Sequence, residues 1–204
     1  MNYLAVDTSG KYLTVIAKGK KKSVVFVEDC ALSHSVILLD EIEKALIEAD
    51  ITLKEVDVFA CAVGPGSFTG IRIGVATVKA FAYSLRKKVL SVTSFDTLAY
   101  DRVNGKRKLA LISAGHNNYY GRLYAEDGCE KGEPFFASQD EIMKTDGFDE
   151  VVCDGQTPFD NSYAANVVNG FENAVEANLF KAVDDLESLI PLYVKKSQAE
   201  EEAK

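Results

Sequence analysis

Gly64-Pro65-Gly66-Ser67-Phe68-Thr69-Gly70-Ile71-Arg72-Ile73-Gly74 is the segment of this chain best suited to chemistry. It leaves an apolar run, Val56 to Val63, and opens a helical pattern. Glycine amides and a helix N-terminus both direct positive charge at a ligand, so this context could build an anion site. It is not a Walker A loop, because the lysine followed by serine or threonine is missing. Nor is it a dinucleotide fingerprint, since its third glycine comes one place late. A purely structural reading stands beside the anion site: a tight turn that brings the helix close to a sheet.

Other reactive residues are scattered. Asp7-Thr8-Ser9-Gly10 ends the first apolar run and offers one carboxylate and two hydroxyls. A two-metal nuclease would need more acids around Asp7. Glu41 or Glu43 could contribute, but the second central strand ends in Val63-Gly64, with no acid to complete the set. A zinc peptidase needs two histidines at i and i+4 on one helix face; His34 is followed at that spacing by Leu38, and the only other histidine is His116. Ser67 has no activating base tied to it by sequence. Cys30, Cys61, Cys129 and Cys153 show no C-x-x-C spacing and read as small hydrophobes.

Charge narrows the partners. The net charge of −8 opposes autonomous grip on nucleic acid, which requires phosphate-neutralising cations. Lysines 18, 20, 21 and 22, and the group Arg102, Lys106, Arg107 and Lys108, read as solvated turns and are the only candidates for RNA contact. No apolar run approaches the ~18 residues of a membrane span, and the first residues lead into a strand without a signal-peptide pattern. A cytoplasmic protein is expected.

The elements that would position these residues follow from periodicity. Tyr3–Asp7, Leu13–Ala17 and Ser23–Val27 read as strands, the last two as a hairpin. Ser33 caps a helix to about Ala49; Val56–Val63 is a strand buried on both faces; Gly70–Leu85 is a helix, Val89–Val92 a strand, Ser94–Tyr100 a short helix. The order begins again with strands at Leu109–Ser113, Tyr119–Ala125 and Pro134–Ala137, a helix capped by Ser138 with Glu141, the strand Val151–Cys153, and a helix near Asn173 to Val183. The charged end from Gln198 to Lys204 is expected to fray. Two β-β-β-α-β units predict an α/β protein of duplicated actin-like, or RNase H-like (ASKHA), fold. Each lobe is a mixed sheet flanked by helices: residues 1–103 form the first, with partner-binding helices, and 104–204 a second, reduced lobe.

Two helices carry more apolar surface than one sheet requires. Between Gly70 and Leu85 the pattern is apolar nearly all round, with Gly74, Ala76, Ala80 and Ala82 keeping it slim. In the first helix Leu38, Leu39, Ile42, Ala45, Leu46 and Ala49 make a core stripe about 120° wide. Val36, Ile37 and Ile47 fall opposite it, as a helix-mediated interface needs.

With these residues in view, the chain resembles the bacterial TsaB (YeaZ) family. The carriers are Leu4 to Ser9, His34-Ser35, the Gly64–Gly74 segment, Ser94, and Pro191-Leu192-Tyr193-Val194-Lys195. The similarity is dense over residues 1–100 and thin afterwards. The resemblance implies a non-catalytic subunit that binds TsaD, the metal-bearing enzyme of threonylcarbamoyl-adenosine synthesis on tRNA. A small ATPase, TsaE, joins the pair, and the chain alone forms a homodimer through the same face. On this reading His34, Val36, Ile37, Ile47, Arg72, Ile73, Ala76 and Ala80 bind the partner, and tRNA is met only through the complex. Asp7, Thr8, Ser9, Gly64, Gly66, Ser67 and Thr69 are candidate phosphate contacts. No metal or cofactor is expected in this chain, with ATP or ADP at the partner interface left open. Where many members carry an aspartate in the second lobe, this chain has Ser113-Ala114-Gly115-His116, and Asp154-Gly155 is a faint echo of an adenosine loop. The alternative is a weak actin-like nucleotide phosphohydrolase using Asp7.

Overall fold

The computed structural model describes residues 1–155 and 159–195; the charged end from Gln198 lies outside them. Strands β1 (Tyr3–Asp7), β2 (Leu13–Lys18), β3 (Lys22–Val27), β4 (Val58–Ala62) and β5 (Lys88–Val92) form one sheet in the order β3-β2-β1-β4-β5. The pairs β1–β2 and β2–β3 are antiparallel, while β1–β4 and β4–β5 are parallel. Every residue of β1 and β4 is buried, which explains their unbroken apolar runs. Edge strand β3 instead alternates exposed and buried positions.

Helices α1 (His34–Glu48) and α2 (Phe68–Leu85) cover one face of this sheet. Leu38, Ile42, Ala45 and Leu46 point inward from α1, and Ile71, Val75, Val78 and Ala82 from α2. Leu39 departs from the core stripe assigned to it: it is 57% exposed. It lies only about 60° round the helix from Val36, on the outer face.

A second sheet comprises β6 (Lys108–Gly115), β7 (Asn118–Tyr124), β8 (Glu130–Ser138), β9 (Glu150–Cys153) and β10 (Ser162–Ala164), in the order β10-β9-β6-β7-β8. Counted from its own first strand, this is the arrangement of the first sheet, so the duplication expected from element order is present as topology. The copy is reduced in its helix. Its helix α4 (Gln139–Ile142) has four residues, and β10, with three, was not anticipated.

Helix α3 (Ser94–Ala99) lies between the sheets, opened by a reciprocal cap in which Thr93 and Asp96 bond each other's backbone. Helix α5 runs from Val167 to Asn178, six residues earlier than expected at its start. Asn166 caps it by accepting from the Asn169 amide at 3.1 Å, and Gly170 interrupts the apolar pattern there. A Cβ at Gly170 would lie 1.9 Å from the Thr97 carbonyl, so the glycine lets α5 cross α3. Phe171, Ala174 and Val175 then close the other face of the first sheet over Tyr3, Ala60 and Leu90. Fully burying a side chain of this size stabilises by about 1.5–3 kcal/mol. No helix among the described residues is long and apolar enough to cross a membrane.

Candidate functional site

The glycine loop is committed to packing. Ser67 caps α2 by accepting from the Gly70 amide at 3.2 Å, and its own amide donates to the Ser9 carbonyl at 2.7 Å. Thr8 Oγ1 donates to the Gly70 carbonyl at 2.7 Å. A Cβ at Gly66 would stand 2.2 Å from the Ser9 carbonyl oxygen, at Gly70 2.0 Å from that of Thr8, and at Gly74 2.4 Å from Thr8 Oγ1. Glycine at these three places therefore seats the first turns of α2 directly on the turn after β1. Gly64 has φ +101°, a conformation other residues rarely adopt, and its carbonyl accepts from the Ser94 amide at 2.8 Å. Two amides of the anion-site reading, Ser67 and Gly70, are thus already bonded; Gly66 and Thr69 are exposed.

Asp7 is fully buried at the end of β1. Its Oδ1 accepts from the Ser9 amide at 2.8 Å and the Ser9 hydroxyl at 2.6 Å, and Ser94 Oγ lies 3.0 Å from Ser9 Oγ. Oδ2 has no hydrogen-bond partner among the described residues. Burial raises the Asp7 pKa, with the Ser9 bonds pulling the other way. The Tyr12 ring lies over Gly10, where a Cβ would come within 2.5 Å of its Cε1. Its phenol faces Asp7 and Ser9, and burial together with the Asp7 and Asp154 carboxylates pushes its pKa well up. Tyr12 therefore fills the space above the Asp7–Ser9 turn. Nothing in the sequence pattern marked it for that place.

His34 is buried inside the start of α1, where Nε2 donates to the Tyr12 carbonyl at 2.9 Å. A carbonyl only accepts, so that nitrogen carries the hydrogen. Among the described residues no group of three or more histidines, cysteines or carboxylates is arranged to hold a metal ion.

The outer face of α1 and α2 is different in kind. Val36 and Ile47 are 74% and 71% exposed, in line with Leu39 at i, i+3 and i+11. Ile37 and Ile73 are half-buried against the core between the helices. Arg72, Ala76 and Ala80 face outward from α2, with Tyr83 exposed one turn further on. Arg72 is already engaged: its guanidinium stacks 3.7 Å from the Phe68 ring centre, and Nε donates to the Tyr193 hydroxyl at 2.9 Å. Beside this face a groove of about 350 Å³ is lined by Leu39, Ile47, Ile51, Leu53 and Phe81 among others. The periodic pattern assigns Leu39 to the core stripe, and the groove beside it brings together residues distant in sequence, such as Leu39, Leu53 and Phe81.

Comparison with known proteins matches residues 18–151, more than half the chain, to the family described as TsaD: tRNA N6-adenosine threonylcarbamoyltransferase. Proteins named "tRNA threonylcarbamoyladenosine biosynthesis protein TsaB" are 33% identical over 121 residues in Buchnera aphidicola subsp. Schizaphis graminum and 33% over 126 residues in Bacillus subtilis. The chain belongs to this family, in its TsaB (YeaZ) branch. The two matches take in 59% and 61% of this chain but only 57% and 53% of those relatives, so the chain spans little more than half their length. The structure of YeaZ from Pseudomonas aeruginosa superposes with TM-score 0.79 at 22% identity, covering 94% of this chain and 99% of that one. The TsaB branch therefore shares the duplicated two-sheet fold described above.

Proposed function

We propose that this chain is a non-catalytic subunit of threonylcarbamoyl-adenosine synthesis on tRNA, and that it works by docking a TsaD-like catalytic subunit on the outer face of α1 and α2. The observation that carries this reading is the line of exposed aliphatics Val36, Leu39 and Ile47 beside the small residues Ala76 and Ala80. Exposed alanines let a partner helix approach closely, and the aliphatics supply area to bury. The names carried by the relatives place those proteins in the same pathway. The first lobe, residues 1–103, then serves as the docking half and the second lobe supports it.

Pairing of two copies through the same face when no partner is present, and recruitment of a TsaE-like ATPase to the pair, complete the proposal. Two local features support a non-catalytic role. The loop amides of Ser67 and Gly70 are spent on packing, and the Tyr12 ring covers the turn at Asp7. A reconstituted reaction tests the reading. TsaD-like and TsaE-like proteins of the same organism, with ATP, threonine, bicarbonate and the enzyme that makes the threonylcarbamoyl donor, should modify tRNA adenosine only when this chain is added. Modification undiminished without it would refute the proposal, as would turnover by this chain alone.

A further inference from the structure

The first sheet ends in an open edge. Strand β3 is bonded to β2 alone, and among the described residues no other backbone pairs with its outer side. Natural sheets blunt such edges with proline, bulges, very short strands or a covering element. Here the strand runs in unbroken register, from Lys22 opposite Lys18 to Val27 opposite Leu13, and contains no proline. Val24 and Phe26 share one face of it and remain 37% and 38% exposed. Ser23 and Val25 are buried on the other face, where Ser23 Oγ donates to the Glu48 carboxylate of α1 at 2.6 Å.

Charge is divided between the two ends of this edge. Lys20, Lys21 and Lys22 lead into it, Glu28 and Asp29 lead out of it, and all five are exposed. Lys20 and Lys22 face Asp50 and Glu172 of their own chain, whereas among the described residues neither Glu28 nor Asp29 forms an ion pair. An antiparallel second β3, with Val25 opposite its own copy, sets Lys22 opposite Glu28, Ser23 opposite Val27 and Val24 opposite Phe26. Each pair occurs twice about a two-fold axis. Directly opposite residues share a face, so Val24 and Phe26 of both copies make one apolar patch between the two charged ends. A parallel copy would instead bring lysine to lysine. Nucleic acid drawn to the lysines would meet Glu28 and Asp29 and leave Val24 and Phe26 unused. The segment is its own complement.

We propose that two copies of this chain pair edge to edge through β3, joining their five-stranded first sheets into one continuous sheet. The occupant of the edge is a second copy, in the antiparallel register that sets Val24 against Phe26. The contact uses neither Val36 nor Ile47, so it is an association surface separate from the outer face of α1 and α2. It holds whether or not that face docks a catalytic subunit. The lysines of the β2–β3 turn thereby gain a use that needs no RNA.

The test is sedimentation equilibrium of the full chain carrying Val36→Glu/Ile47→Glu, which disables the other face. A concentration-dependent dimer is expected. Aromatic–β-branched and opposite-charge pairs each occur twice across the seam, so Val24→Lys, Phe26→Glu or Glu28→Lys should each weaken the dimer by roughly 2- to 30-fold. Mixing the Val24→Lys and Phe26→Glu chains brings the new lysine opposite the new glutamate. A mixed dimer should then form at concentrations where each chain alone is monomeric. Phe26 lies beside Tyr12, with ring centres 5.6 Å apart, so melting curves check that variant. If it does not fold, Glu28→Lys mixed with Lys22→Glu makes the same comparison at the charged ends. Hydrogen exchange should slow at β3 on dimerisation and stay unchanged at α2. The inference is overturned if the chain remains monomeric at its solubility limit, if the dimer survives all three single substitutions, or if two folded complementary chains form no mixed dimer. Because the α1–α2 face is already disabled in this background, a missing dimer counts against β3 pairing alone and leaves the docking claim standing.

Discussion

Gly70→Ala probes the seating of α2 on the turn after β1. In a helix, alanine is favoured over glycine by ~0.8–1 kcal/mol, so propensity alone predicts stabilisation. The structure predicts the opposite. The added Cβ would lie 2.0 Å from the Thr8 carbonyl oxygen and 3.2 Å from His34 Nδ1, and neither the backbone atom nor the buried ring can step aside cheaply. Overpacking of this kind costs ~1–3 kcal/mol, and a clash with backbone belongs at the upper end. Displacing the helix also lengthens the 2.7 Å bond from Thr8 Oγ1 to the Gly70 carbonyl, a further ~0.5–1.5 kcal/mol. Set against the propensity gain, the net loss is about 2–3 kcal/mol. For a chain of this length that is a fall in Tm of roughly 4–12 °C. Circular dichroism melts beside Gly155→Ala make the comparison, since a Cβ at Gly155 meets nothing within 4 Å among the described residues. Gly70→Ala melting at or above the wild-type temperature would refute the close seating, and with it the packing account of the glycine loop.

Other expectations follow from burial and charge. Asp7 has its pKa raised in the fold, so its protonated form is favoured there; its stabilisation is complete below the ordinary value of 3.8 and is lost as pH rises through the folded-state value. Asp7→Asn keeps an acceptor for Ser9 without the buried charge, so its Tm should exceed wild type at pH 8, with the gap closing toward pH 3.5. A constant gap across that range would contradict the assignment. Phe171→Ala, at a fully buried position of α5, should cost about 3–5 kcal/mol in urea unfolding. A loss below about 1 kcal/mol would mean that α5 does not close the first sheet as described.

How far the sequence carries depends on the kind of constraint. Strands β1 and β4 are buried on both faces and announce themselves as apolar runs; α2 does so by its apolar girth. The periodic pattern starts α5 six residues late because Asn169 and Gly170 serve contacts to Asp101 and Thr97, which are distant in sequence and invisible to a periodic pattern. Strand β10 offered only Ser162-Tyr163-Ala164, too short to register. At the glycine loop the residues were legible but their use was not, since anion cradle and close packing require the same glycines. The contact with Thr8 and Ser9 decides between them, and it is a tertiary fact. Tyr12 is the same case: an unremarked aromatic becomes the cover over Asp7 only when the β1–β2 turn folds it there. Ile37, read as fully outward, is half-buried against the core, so Val36 and Ile47 are the cleaner positions at which to break docking.

The docking claim is tested most directly by light scattering on a sizing column, with this chain alone, with the TsaD-like protein of the same organism, and with Val36→Glu/Ile47→Glu in place of wild type. Both substituted positions are more than two-thirds exposed, so the variant should fold and melt as wild type does. The account predicts a discrete mixed complex with the wild-type chain, and two separate peaks with the variant. A complex that forms equally well with both would contradict the placement of the partner on the α1–α2 face.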